Sequence, residues 1–201
     1  MEPLWSGIRV LAHVAGRRVE FVDAEGEAQD WPETAEALST AVQADRAVLD
    51  GYLTTDAASD GVGVFMAAGP EPPTAAHFTR RLFLGGTGRD RRAELRELDE
   101  ASLPLPLSRD DVVVFVAVDL LMLDDDALLD VPLLERKRLL DSILIESRRV
   151  RRGIHVRLPV DVWMATWRNL GFRGLAYKDA NSRYRPGTPN DDWATAPIPR
   201  A

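Results

Sequence analysis

The amino-acid sequence predicts an α+β fold. Apolar and polar residues alternate with a period of two near the start of the chain, which indicates a β-hairpin. Further on, amphipathic helical patterns occur among strand patterns in an irregular order. A doubly wound parallel sheet would need strands and helices that alternate regularly, so the mixed order favours the α+β class.

The first quarter of the chain predicts a hairpin, a helix and a strand. Residues 8–14 and 19–22 are alternating segments that flank a turn with Gly16 at its centre. A helix is expected from about Pro32, because proline fits the first helical position. Residues 47–54 are predicted to form the next strand, followed by a loop.

The middle of the chain is predicted to hold two helices and one central strand. Residues 75–84 and 91–100 have helical spacing, and the glycine-rich residues 85–88 form a loop between them. Residues 112–123 are rich in β-branched and apolar side chains on both faces. Such a strand is expected to be central and buried.

The C-terminal part predicts two helices and two short strands. A leucine-rich stripe within 133–144 indicates an amphipathic helix, and its charged positions 135–138 are assigned to the solvent side. Residues 154–158 and 171–178 are predicted strands, and 160–170 is a helix whose tryptophans belong to the core. Residues 181–201 are predicted to be an irregular tail.

The composition limits the classes of protein. A chain of 201 residues predicts a single domain, and no apolar run is long enough for a membrane span. The chain has no cysteine, which excludes disulfides and thiolate metal sites and, with no signal-peptide pattern, predicts a cytoplasmic location. The net charge of −7 means that DNA binding would need a local basic patch. Only two basic residues, Lys137 and Lys178, are lysines, and this preference for arginine indicates a GC-rich bacterial source.

Short motifs occur in a fixed order along the chain. Residues 2–9 read EPLWSGIR, and residues 48–52 read VLDGY. Residues 118–124 read VDLLMLD and are followed by PLLER at 132–136. In this order they resemble three motifs of ATP-dependent DNA ligases, which are EPKxDGxR, LDGE, and FDLLYLDG with its LPLxER helix.

The end of the chain resembles the last motifs of the same family. Residues 171–178 read GFRGLAYK, where the family has GxEGxVxK. They are followed by SRYRPG at 182–187 and DW at 192–193, where the family has SxYRPG and DW. The resemblance therefore covers nearly the whole chain.

The resemblance implies a ligase adenylation (nucleotidyltransferase) domain across residues 1–201. Its fold would be ATP-grasp-like, with antiparallel sheets, flanking helices and an ATP cleft between the sheets. In the family a lysine attacks the α-phosphate of ATP and then passes AMP to the 5′-phosphate at a DNA nick, while carboxylates hold Mg²⁺. ATP and Mg²⁺ are implied by the resemblance alone. The oligonucleotide-binding (OB-fold) domain of the family is expected to be absent after Trp193.

The chain departs from the family where the chemistry takes place. Leu4 stands at the position of the nucleophilic lysine, and an alkyl side chain cannot attack phosphorus. Ser6, Tyr52 and Arg173 stand where the family has carboxylates, and Val118 replaces the aromatic residue that stacks on adenine. The resemblance therefore predicts no catalytic residue and no metal site.

Other motif positions are retained. Gly7, Arg9 and Lys178, together with Arg173, are the candidate nucleotide-binding residues. The matching positions with an expected structural role are Asp50, Gly51, Asp119, Gly174, Tyr184, Gly187 and Trp193.

Three further basic features are open to two interpretations each. Lys178 is either a phosphate-binding residue or a solvated cation at a strand end. Lys137 is either a substitute for the missing nucleophile or a solvated cation on the outer face of its helix, and the helical pattern favours the solvated cation. The third feature is a basic cluster that forms either a solvated helix end or a phosphate-binding patch, and it consists of Arg148, Arg149, Arg151 and Arg152.

The sequence thus predicts a ligase-like domain that has lost self-adenylation. A binding or scaffolding role in DNA repair or recombination would remain, with DNA or a DNA-repair protein as partner. The first alternative is an active or partner-dependent ligase or nucleotidyltransferase that uses Lys178. The second is a nucleotide or phosphate sensor that binds through Arg9, Arg173 and Lys178 without reacting.

Overall fold

The computed structural model describes residues 1–58, 107–108, 110–156, 161–188 and 190–198, with the backbone alone at 161 and 162. The predicted helices 75–84 and 91–100 and the loop 85–88 lie outside these residues. No helix in the described part of the chain is both long and apolar enough to cross a bilayer.

Within the described residues, the larger sheet has seven strands and contains the predicted hairpin. Strands β2 and β3 pair antiparallel, β2 pairs with β5, and β5 pairs with β6, so the predicted strand in the middle of the chain is indeed central. The parallel partner of β6 is β8. The strands are β2 (Ile8–Ala15), β3 (Arg18–Asp23), β4 (Ala28–Gln29), β5 (Arg46–Thr54), β6 (Val114–Leu123), β7 (Asp126–Ala127) and β8 (Val150–Arg152).

The smaller sheet joins the two ends of the described chain. Strand β1 (Glu2–Pro3) pairs antiparallel with β9 (Gly174–Lys178), which pairs on its other side with β10 (Trp193–Pro197). The prediction of an irregular tail over 181–201 is therefore wrong for β10. Its few alternating residues form a strand because their backbone completes the ladder of β9, a long-range pairing that a local pattern does not reveal.

Helices cover the larger sheet on both faces. Helices α1 (Pro32–Ala41) and α2 (Leu133–Ile143) bury Leu38 and Leu140 against Phe115 of β6. On the other face, Trp163 and Trp167 of α3 (Asp161–Asn169) belong to a second core that includes alternate residues of β6. The predicted core position of both tryptophans is confirmed.

The predicted strand at 154–158 is wrong for residues 154–156, and residues 157 and 158 lie outside the described part of the chain. The strand in this region is β8, which ends at Arg152 and pairs Val150 with Phe115. Ile154 and Val156 are nevertheless buried in the second core. Val156 also exchanges two backbone hydrogen bonds with Met1, one in each direction, so this segment is held by packing and by backbone pairing.

Gly51 allows β5 and β6 to approach closely. An added Cβ would lie 2.5 Å from the carbonyl oxygen of Val116 and 2.6 Å from ring carbons of Phe115. We expect Gly51→Ala to destabilise the fold by about 1–3 kcal/mol, because a well-packed core resists an added methyl group. Urea denaturation measures this. An unchanged midpoint would show that the two strands separate more easily than their packing indicates.

Candidate functional site

A cleft of about 260 Å³ lies between the two sheets. Strands β1, β9 and β10 form one wall, and β2, β5 and β6 form the other. The residues that line it are Glu2, Pro3, Leu4, Arg9, Tyr52, Val118, Ala176, Lys178, Trp193, Ala194 and Thr195. The cleft is thus built mainly from positions of the ligase-like motifs.

Leu4 presents a hydrocarbon side chain to this cleft. It follows β1, and its backbone N–H donates to the carbonyl of Gly174 at 2.9 Å. Ser6 turns to Asp56 instead, because its hydroxyl and backbone N–H both donate to the Asp56 carboxylate. The pKa of Tyr52 is raised, and burial is the largest cause, so its phenol stays neutral at pH 7. None of these side chains is an amine nucleophile.

The only two lysines of the chain meet at one buried carboxylate. Lys137 Nζ lies 2.7 Å from Glu2 Oε1, and Lys178 Nζ lies 2.9 Å from Glu2 Oε2. Lys137 also donates to the carbonyl of Val118 at 2.5 Å. We refer to Glu2, Lys137 and Lys178 as the lysine cluster.

The prediction that Lys137 is solvated is wrong, since its side chain is only 5% exposed. The inward stripe of α2 contains Leu133, Arg136, Lys137 and Leu140, so two charged positions face the protein interior. They can be buried there because each has a carboxylate partner from another element. A pattern based on polarity alone assigns such residues to solvent.

The lysine cluster is charged at neutral pH. Burial alone would raise the pKa of Glu2, but the two ammonium groups outweigh it and lower the pKa of Glu2. Burial alone would lower the pKa of Lys178, and the Glu2 carboxylate outweighs this effect, so the net pKa of Lys178 is raised. Lys178 is therefore a protonated cation, and a protonated amine has no lone pair for nucleophilic attack.

These shifts predict a pH dependence of stability. The pKa of Glu2 is lower in the folded chain than in the unfolded chain, where it is about 4.3, so ionised Glu2 stabilises the fold above pH of about 4.3. This stabilisation is lost as pH falls from there towards the folded pKa. The pKa of Lys178 is higher in the folded chain than in the unfolded chain, where it is about 10.4, so protonated Lys178 stabilises the fold below pH of about 10.4. This stabilisation is lost as pH rises through the folded pKa. Urea unfolding across pH should show both losses. Lys178→Met should reduce the loss of stability at alkaline pH. An unchanged loss in this variant would contradict the raised pKa of Lys178.

A second ion pair holds the cleft wall of the larger sheet. Arg9 donates to both carboxylate oxygens of Asp50, at 3.0 and 2.6 Å, and the Tyr184 hydroxyl donates to the same carboxylate at 3.2 Å. The Arg9 side chain is 48% exposed, whereas that of Asp50 is 1% exposed. The guanidinium of Arg9 is thus fixed at the cleft and remains accessible.

A third ion pair lies behind the cleft. Arg136 donates to both oxygens of Asp119, at 2.9 and 2.8 Å, and both side chains are buried. The ring of Tyr184 lies under the Arg136 guanidinium, 5.9 Å away, and packs edge-on against Trp193. Tyr184 therefore connects the two sheets, through Asp50 on one side and Trp193 on the other, and the Asp119–Arg136 pair joins the larger sheet to α2.

The remaining matched positions shape the backbone and the rim of the cleft. Gly7 and Gly187 have positive φ angles of 106° and 68°, and an added Cβ at Gly7 would also meet the carbonyl oxygen of Leu53. Gly174 begins β9, where its carbonyl receives the N–H of Leu4. The Trp193 indole N–H donates to the Ser182 hydroxyl, and its ring lies 4.6 Å from Lys178 Nζ.

The structure brings Arg9 and Lys178 together but leaves Arg173 apart. Within the described part of the chain, Arg173 is exposed just before β9 and does not line the cleft. The grouping of Arg173 with the other two candidates is therefore wrong. Position 173 belongs to the connection between α3 and β9, where its side chain remains solvated.

The basic cluster at 148–152 is partly neutralised. Arg149 pairs with Glu33, and Arg152 lies 3.4 Å from both Asp141 and Glu146. Arg148 is exposed. A continuous phosphate patch would have to displace these carboxylates.

The carboxylates at the cleft do not fit a resident Mg²⁺ ion. Glu2, Asp50 and Asp119 are each bonded to a cation of the protein. Among the described residues, no group of three or more potential ligands converges on one point. Since Mg²⁺ requires oxygen ligands that are free to coordinate it, these residues cannot supply its site.

Sequence reasoning missed Glu2 and Lys137 as parts of the site. Glu2 belongs to the first motif, but the sequence alone indicated no role for it in the site. The one available signal was the scarcity of lysine, because a chain that uses arginine almost everywhere retains lysine at two positions, and both contact Glu2.

Comparison with known proteins agrees with this geometry. No protein-family model matches the chain. Two curated relatives, the DNA ligases of Thermococcus fumicolans and Thermococcus onnurineus (strain NA1), are each 25% identical over 195 residues. The match covers 94% of this chain and about 30% of the length of each relative.

Solved structures provide the decisive likeness. The ligase domain of LigD from M. tuberculosis matches with a TM-score of 0.61 and 22% identity, over 96% of this chain and 51% of that chain. This chain has the fold of an ATP-dependent DNA ligase domain. A mycobacterial DNA ligase D, solved in complex with ATP and MES, matches with a TM-score of 0.59 and 21% identity, over 96% of this chain and 52% of that chain. The predicted α+β ligase-like fold and the predicted resemblance are confirmed.

Proposed function

We propose that this chain is a ligase-like adenylation domain that does not attach AMP to itself and that acts by binding. The observation that carries the proposal is the Leu4 side chain at the position of the nucleophile. A C–H terminus has neither a lone pair nor an acidic proton, so no change of pH or neighbouring base can activate it.

Neither lysine of the chain replaces the lost nucleophile. Both ammonium groups are bonded to Glu2, and Lys137 is almost completely buried. Lys178 lines the cleft, but its raised pKa keeps it protonated. Its attack on ATP would require loss of a proton and of the Glu2 contact together.

The test is incubation with ATP labelled at the α-phosphate, in Mg²⁺ or Mn²⁺, followed by a denaturing gel. An active ATP-dependent ligase serves as the positive control. We expect label on the control protein and none on this chain. Label retained at a yield approaching one AMP per chain would overturn the proposal and favour the active-ligase alternative.

Replacement of the nucleophile alone should not restore the reaction. We expect Leu4→Lys to form no detectable AMP adduct, because Ser6 and Tyr52 offer no carboxylate for a metal ion and Lys178 already places a positive charge in the same cleft. The same labelled-ATP gel measures this. Formation of an adduct by this single variant would show that the missing carboxylates are not needed.

Binding of an anion without reaction is a second candidate function. The accessible half of Arg9 and the ammonium of Lys178 both line the cleft, and together they form a receptor for phosphate oxygens. The volume of about 260 Å³ is small beside the roughly 300–1,000 Å³ of drug-sized sites, so a single phosphate group fits better than a whole nucleotide.

Calorimetry separates the candidate ligands. ATP, AMP and a nicked DNA duplex with a 5′-phosphate should be compared with the same duplex carrying a 5′-hydroxyl. Preference for the phosphorylated nick would support a role at DNA ends in repair or recombination, alone or beside a repair protein. Absence of heat with all of these ligands would exclude the sensor function.

A further inference from the structure

A second cavity, of about 790 Å³, adjoins the cleft on the far side of Lys178 and Trp193. Its volume lies within the range of sites that hold drug-sized molecules, roughly 300–1,000 Å³. Leu133 and Leu134 of α2 form one wall, and Val156 and Tyr177 contribute to the remainder. These walls fit an apolar molecule.

The floor of the cavity carries an unbalanced positive charge. The lysine cluster, which lies there, has two ammonium groups and one carboxylate. Among the described residues, the nearby carboxylates of Asp50 and Asp119 are already paired with arginines. Each ammonium is bonded to Glu2, but the cluster as a whole keeps one excess positive charge, so a bound anion would find a favourable position beside it.

The mouth of the cavity has the opposite charge. Asp179, Asp191 and Asp192 line it and are exposed. Water and salt screen these carboxylates from the lysine cluster, but they would repel a ligand with several negative charges as it enters the cavity. The arrangement therefore favours a ligand with a single negative charge over a polyphosphate or a nucleic acid.

We propose that this cavity is a binding site for a small apolar molecule that carries one negatively charged group, with the apolar body between α2 and Trp193 and the anion beside the lysine cluster. The cavity shares Glu2, Lys178 and Trp193 with the ligase-like cleft but extends beyond it, because Leu134, Lys137 and Tyr177 line the cavity alone.

The first test compares four naphthalene compounds of similar shape by calorimetry on the unaltered chain. The compounds are 1-naphthaleneacetate (one negative charge), 2-(1-naphthyl)ethanol (neutral), 2-(1-naphthyl)ethylamine (positive) and 1-naphthyl phosphate (mainly doubly negative at pH 8). We expect the acetate to bind at least tenfold more tightly than each of the others. Equal binding of all four, tightest binding of another compound, or no binding at millimolar concentration would overturn the proposal.

Matched variants then locate the bound acetate. Leu134→Trp should fill the cavity and abolish binding, whereas Thr195→Trp should narrow the cleft and leave binding unchanged. Lys137→Met should remove one positive charge beside the bound anion and so reduce the preference for acetate over the alcohol. Circular dichroism confirms folding of each variant. Loss of binding in Thr195→Trp but not in Leu134→Trp, or an undiminished preference for acetate in Lys137→Met, would also overturn the proposal.

Discussion

Glu2→Gln should destabilise the fold by about 3–5 kcal/mol, since it leaves two buried ammonium groups without a counter-charge. Glutamine has nearly the same shape, so the loss reports charge rather than packing. Urea denaturation at pH 7 measures the change in the free energy of unfolding.

Glu135→Gln is the matched control for this substitution. Glu135 pairs with Arg138 on the same helix, and both side chains are about half exposed. Exposed ion pairs contribute roughly 0–1 kcal/mol, so the control should unfold near the midpoint of the unaltered chain. Equal effects of the two substitutions would show that the lysine cluster is solvated in solution.

The second large effect is expected at the buried pair of Asp119 and Arg136. Removal of one partner, by Asp119→Leu or Arg136→Met, should cost about 3–5 kcal/mol, because the other charge stays buried alone. The double variant should recover most of that loss, since an apolar pair needs no compensating charge.

A double-mutant cycle by urea denaturation measures this coupling. Arg136 also donates to the carbonyl of Val131, so recovery should be incomplete. Losses that simply add in the double variant would mean that the two side chains do not interact, and would contradict the role of this pair in joining α2 to the larger sheet.

Much of the fold could be predicted because its signals are local. The hairpin around Gly16, the proline at the start of α1 and the apolar run of β6 each depend on neighbouring residues. Strands β1 and β10 could not be predicted in this way. Each is short, and each becomes a strand only because the backbone of β9 lies beside it.

The site could be predicted only in part. The motif order indicated that Leu4, Arg9 and Lys178 would share a cleft, and they do. The burial of Lys137 could not be inferred, because it depends on a carboxylate at the other end of the chain. The exposed position of Arg173 likewise depends on how the connection into β9 runs, which a motif letter does not specify.

With Leu4 at the position of the nucleophile, we expect the chain to form no covalent bond to AMP. Intact mass spectrometry of the unaltered chain, after incubation with ATP and Mg²⁺ at neutral pH without acid treatment, tests this most directly. We expect a single species at the mass of the unmodified chain. A second species heavier by one AMP, and lost on mild acid treatment as a phosphoramide would be, would contradict it.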